Sequence, residues 1–111
     1  MPLRKAYVSP DDLRDIFDRG RYVERAQAGE LTERELVRGR PSLSSAHPAE
    51  AISRRVGYYD DEGRELAVAH ELILPDGTIG GSGRSDPMRV DVDGTLYIST
   101  GRFIARRPSA G

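Results

Sequence analysis

Two histidines are available for acid–base work in this chain, and only His70 sits inside a patterned run. An imidazole titrates near neutral pH and can serve as acid, base or metal ligand. In Leu66-Ala67-Val68-Ala69-His70-Glu71-Leu72 the ring shares a strand face with Val68 and Leu72. A core or core-edge histidine with a hydrogen-bonded ring nitrogen is therefore the simpler reading. The sharper one makes His70 the general base of a small metal-independent ribonuclease, with Arg54 and Arg84 steadying the phosphate as charge develops. The strand pairing set out below puts Arg54 opposite His70, where a like charge favours the neutral imidazole. His47 precedes Pro48 and reads as a loop residue.

The run Gly80-Gly81-Ser82-Gly83-Arg84-Ser85-Asp86-Pro87 is the most unusual stretch. Three glycines among hydroxyls can turn successive backbone amides toward an anion, with Arg84 as the charge. No lysine and hydroxyl follow in P-loop spacing, and no dinucleotide fingerprint opens a helix there, so a flexible strand connection competes with an anion- or partner-binding loop. As a binding surface it would use Ser82, Gly83, Arg84 and Asp86, with Tyr59 nearby. Arg54, Arg55, Arg102, Arg106 and Arg107 could combine with Tyr58, Tyr59 or Tyr97 to hold single-stranded RNA. The acids interleaved among them fit a solvated, salt-bridged surface better.

Two histidines without a His pair at ligand spacing, and no cysteine, give no metal site. Asp60-Asp61-Glu62 lacks the spaced oxygen ladder of a calcium loop and reads as a hairpin tip. No cofactor is expected. The absence of cysteine also removes disulfides and thiol catalysis, and agrees with a reducing compartment. No apolar stretch approaches bilayer length, and Met1-Pro2-Leu3-Arg4-Lys5 lacks the apolar segment of a secretory signal, so a cytoplasmic protein without membrane contact is expected.

These candidates must be positioned by 111 residues, of which 37% are apolar and 32% charged. So thin an apolar content argues for one shared core and a single domain over residues 1–111. Seventeen basic against eighteen acidic side chains leave a net charge of −1 and no overall field toward nucleic acid or anionic lipid. All the basic residues but Lys5 are arginines.

Ser9-Pro10-Asp11-Asp12 starts a helix, with a hydroxyl cap, proline in the first turn and acids at the positive end of the dipole. Leu13, Ile16 and Phe17 form its stripe, and Gly20 occupies the left-handed cap position. A second helix spans about 21–28 and ends at Gly29. Thr32-Glu33-Arg34-Glu35 matches a capping box, which predicts a third helix over about 33–38. The helical portion is thus about 9–40, followed by a proline- and serine-rich connector over 41–51.

From Ile52 to about residue 106 the period becomes two. Asp60-Asp61-Glu62-Gly63 suits a hairpin loop, and pairing Asp60 with Arg64 sets Tyr58 opposite Leu66, Val56 opposite Val68 and Ile52 opposite Leu72. Pro75-Asp76-Gly77 turns into a strand at Thr78 and Ile79. Asp93-Gly94 closes a last hairpin, in which Leu96 and Ile98 answer Val90 and Val92. The expected fold is α+β: short N-terminal helices on one face of an antiparallel meander of four to five strands, whose other face is wet.

On this reading the chain is a small non-catalytic interaction module that binds a protein partner through a sheet face or edge and the loop 80–87. The alternatives are the ribonuclease or RNA-binding protein using His70, Arg54 and Arg84, and a structural subunit whose sheet edges pair in a homodimer.

Overall fold

The computed structural model describes residues 4–39, 50–80 and 85–100. Strand β1 (Arg4–Val8) leads into helix α1 (Pro10–Gly20) and the short α2 (Tyr22–Gln27). Five strands follow: β2 (Thr32–Gly39), β3 (Ile52–Tyr59), β4 (Glu65–Ile73), β5 (Asp86–Val92) and β6 (Thr95–Ser99). They form one six-stranded sheet in the order β1-β6-β5-β4-β3-β2. The last five are a consecutive antiparallel meander, and β1 joins its far edge parallel to β6. The α+β class holds, but the sheet is mixed and larger than expected. The segment read as a third helix is strand β2, and β1 was not foreseen.

Helix α1 begins as its residues dictate: Ser9 Oγ accepts from the Asp12 amide at 3.1 Å, ahead of Pro10, Asp11 and Asp12. Its end differs from the sequence expectation. Arg21, not Gly20, takes the left-handed conformation, at φ 52°. Gly20 is needed for another reason, since a Cβ there would stand 2.2 Å from Cε2 of the buried Tyr22 ring. Gly20→Ala should therefore displace that ring and cost about 1–3 kcal/mol in chemical denaturation, although alanine is the better helix former. A neutral or stabilising result would show that Tyr22 does not rest against the glycine. Helix α2 stops before Gly29, whose φ of 84° suits the predicted glycine cap.

Leu13, Phe17, Tyr22 and Leu31 pack onto Val56, Tyr58, Ala67, Ala69 and Val90. The Phe17 ring centroid lies 5.5 Å from that of Tyr22 and 6.1 Å from that of Tyr58. The fully buried β4 members of this cluster are thus two alanines, with Leu66 partly buried against it. The expected pairing placed the larger Leu66, Val68 and Leu72 on that face. Asp60 does pair with Arg64, its amide donating to the Arg64 carbonyl at 3.0 Å. The ladder then slips by one at Leu66, so Tyr58 faces Ala67, Val56 faces Ala69 and Ile52 faces Ile73. Val68 and Leu72 are buried on the opposite face, so that face of β4 is not the wet one expected.

Two further expectations fail on local geometry. After the Pro75-Asp76-Gly77 turn, Ile79 makes only an isolated bridge to Ile73 in place of a strand. The two-residue Asp93-Gly94 loop, both residues at positive φ, pairs Val92 with Thr95 and Val90 with Tyr97. Leu96 and Ile98 therefore stand on the face away from Val90. Residues 101–106 of the anticipated meander, and 41–49 of the anticipated connector, lie outside the described residues.

Candidate binding site between the helices and the β2 end of the sheet

Helix α1 packs over β5 and β6. The short α2 is left to roof the other half of that sheet face, where β4, β3 and β2 carry polar side chains. Arg54 and Glu71 are direct cross-strand partners, as are Glu35 and Val56, and Arg38 and Arg54. These residues share the helix side because partners across a ladder point the same way. A bulge at Leu36 makes this possible. Without the extra residue, Glu35 and Arg38 would stand three apart on opposite faces.

The result is a chain of charge across three strands. Arg38 meets Glu35 at 2.8 Å, and Arg54 reaches Glu35 at 3.4 Å and Glu71 at 2.8 Å. The second Glu71 oxygen accepts from Ser85 Oγ at 2.5 Å. Burial alone would weaken the charge on Arg54, but the hydrogen bond and charge of Glu71 outweigh it and raise the guanidinium pKa. Glu35, exposed at the edge, is lowered by the Arg38 hydrogen bond first.

Beyond Ser85 this network borders a cavity of about 550 Å³. Phe17, Tyr22 and Val23 wall it from the helices, Ile79 and Ser85 from the loops, and Glu33 and Glu71 from the sheet. Its volume falls within the usual range for ligand pockets, about 300–1,000 Å³, with an apolar wall and a few convergent polar groups. Arg14, Asp18, Arg21 and Glu24 stand around it. Both arginines are engaged: Arg14 with Asp86 at 3.0 Å, and Arg21 with Glu24 at 3.4 Å.

Tyr58 is fully buried behind this wall, its ring against those of Phe17 and Tyr22, and its hydroxyl has no hydrogen-bond partner among the described residues. Glu33, its cross-strand partner, and Ser85 and Glu71 stand close enough to influence its titration. Burial, then the charges of Glu33 and Glu71, raise the Tyr58 pKa far above the ordinary tyrosine value. Tyr22 is raised as well, chiefly by burial, with Arg25 opposing and Asp91 adding. An unfolded tyrosine ionises near pH ~10, so the stability linked to these two groups is complete below that pH and is lost as pH rises above it. In an alkaline titration, the phenolate absorbance of Tyr22 and Tyr58 should appear only with loss of the folded circular dichroism. Ionisation of both rings ahead of unfolding would contradict their burial.

A buried polar group without a partner costs about 1–3 kcal/mol. Tyr58→Phe should therefore raise the stability of the free protein, by about 1 kcal/mol in urea. A loss of that size would mean that the hydroxyl is bonded in solution.

Of the residues singled out from sequence, His70 and Arg54 do not converge. His70 lies on the opposite face of the sheet from Arg54, with its Nε2 2.7 Å from Ser53 Oγ and Arg55 as its cross-strand partner. The sheet itself separates the proposed base from Arg54. Tyr59 shares the His70 face, where its ring lies under the Arg34 guanidinium at 5.3 Å. Asp86 belongs to the Arg14 ion pair. Ser82, Gly83 and Arg84 lie outside the described residues. Glu33, Glu71, Ser85 and Tyr58 were missed as a group because the face they share follows from two bulges. Among the described residues no cluster of three metal-ligating side chains occurs. No helix among them is long and apolar enough to cross a membrane.

No protein-family model matches the chain, and neither a curated protein nor a solved structure matches it.

Proposed function

We propose that the chain is a non-catalytic binding module that engages a protein partner at the cavity between α2 and the β2–β4 half of the sheet. The observation that carries this reading is the cavity itself, about 550 Å³, with an apolar wall of Phe17, Tyr22 and Val23 and the polar Glu33, Glu71 and Ser85 converging on it. A concave apolar surface with a few convergent polar groups is the usual form of a ligand site. A polypeptide is favoured over a free small molecule because the cavity borders strand β2. All eight residues of β2 are exposed, and Leu36 and Val37 are among the exposed large hydrophobics. A sheet edge of this kind offers backbone and side-chain contacts to an extended segment.

The test is a nitrogen–proton correlation spectrum of the labelled protein, titrated with acetylated and amidated Ala-Xaa-Ala peptides covering the natural side chains. The proposal expects at least one side-chain class to shift the Glu33, Ile79 and Ser85 amides together. If no peptide moves these three resonances up to its solubility, the cavity is not a binding site for polypeptide side chains.

A further inference from the structure

We infer that the β2 edge is taken by a second copy of this chain, the two β2 strands pairing antiparallel so that Glu35 of each faces Arg38 of the other. This pairing rests on the reading above only in taking β2 as a polypeptide-binding edge, and it names the polypeptide. It does not need a side chain in the cavity.

Strand β2 closes the sheet at the end away from β1, and β3 is its one neighbouring strand among the described residues. Its backbone therefore turns a row of N–H and C=O groups outward, a template for another strand. All eight of its residues are exposed, and Leu36 and Val37, in the middle, keep 40% and 54% of their surface.

The charges say which strand fits. A charged edge guards against self-pairing when like charges meet across it. Here they do not. Glu33, Glu35 and Arg38 share the helix side of the sheet, and Arg34, Val37 and Gly39 the other, as their β3 partners dictate. Residues opposed in an antiparallel pair must share a face. With Glu35 opposite Arg38 of the second copy, Arg34 stands opposite Gly39, and both pairs match in face. Leu36 then stands opposite Val37, so the exposed apolar residues close on one another at the two-fold axis. Shifting the strands by one residue opposes residues of different faces and, in one direction, sets Arg34 against Arg38. The other register with matched faces, Glu33 opposite Arg38, sets Leu36 and Val37 against Glu35 and Arg34.

Within one chain Glu35 and Arg38 already meet at 2.8 Å, their side chains 33% and 53% exposed. The two-fold brings two such pairs together as four alternating charges and orphans none. One strand pair is a small interface, so the dimer is weak and concentration-dependent.

Sedimentation equilibrium tests this on the wild type, on Glu35→Arg and Arg38→Glu separately, and on an equimolar mixture of the two variants, with circular dichroism confirming that each is folded. Each variant alone opposes like charges at both positions, whereas the mixed dimer opposes unlike charges at both. The wild-type mass should rise toward that of a dimer at millimolar concentration. Each variant should associate at least about tenfold more weakly, and the mixture should recover the wild-type affinity. Glu35→Arg mixed with Arg19→Glu, which carries the same charge change on the exposed side of α1, should show no recovery. A wild type that stays monomeric, variants that associate as the wild type does, or a mixture no tighter than its components or than the Arg19 control overturns the second-copy assignment. If the cavity peptides bind while the wild type stays monomeric, the cavity stands and this pairing falls. If the dimer forms and no peptide binds, the cavity reading falls alone.

Discussion

Arg54→Ala should destabilise the fold by about 3–5 kcal/mol, the usual penalty when one member of a buried ion pair is removed. Its partner Glu71 keeps only 7% of its side chain exposed, and Arg54 itself 25%. The truncation strands the carboxylate in the sheet with Ser85 as its remaining donor. Domains of this size are stable by only about 5–15 kcal/mol, so the variant should unfold at a much lower urea midpoint. Much of the loss should return in Arg54→Met/Glu71→Gln, which removes both charges and keeps a hydrogen-bonding group toward Ser85. That double variant separates the penalty of an orphaned charge from the value of the pair. A single-variant loss below about 1 kcal/mol would mean that water reaches Glu71 freely.

A loss of similar size, about 3–5 kcal/mol, is expected for Phe17→Ala. Phe17 is almost fully buried, and its ring touches those of Tyr22 and Tyr58. Opposite it the sheet offers Ala67 and Ala69, too short to fill the void. Phe17→Leu should cost less, because most of the volume remains. The alanine variant also removes part of the cavity wall, so peptide binding should weaken along with stability. Binding unchanged in a destabilised but folded Phe17→Ala protein would remove Phe17 from the site.

Some of these elements are written locally in the sequence and others are not. The α1 cap and the glycine turns at residues 63, 77 and 94 are local, because each needs only a hydroxyl, an acid or a residue free to adopt positive φ. The identity of β2 was not local. Thr32-Glu33-Arg34-Glu35 satisfies the spacing of a helix start, but its place in the fold is decided by pairing with β3, a tertiary preference that overrides propensity. Strand β1 was missed for the same reason, as its partner lies at the other end of the described chain.

The face of β4 was misjudged on a different ground. The larger Val68 and Leu72 look like core, and the slip at Leu66 turns them away from the helices. Alanines are what the aromatic cluster of Phe17, Tyr22 and Tyr58 leaves room for, so the small residues mark the packed side. Once the register is off by one, the candidate site is off by one as well: Arg54 seems to face His70 when it faces Glu71. The polar network therefore could not be assembled from spacing alone.

The parallel pairing of β1 with β6 also has a consequence in time. Arg4 lies beside Thr95, and the Thr100 amide donates to the Val8 carbonyl at 2.8 Å. A ribosome adding roughly 5–20 residues per second exposes the first strand for roughly 5–18 seconds before its partner has been made. Through that interval β1 has no native neighbour to pair with, while the β2–β5 hairpins can already form. The sheet should thus be completed last at the seam between β1 and β6, which makes nascent-chain length a control on when the fold closes.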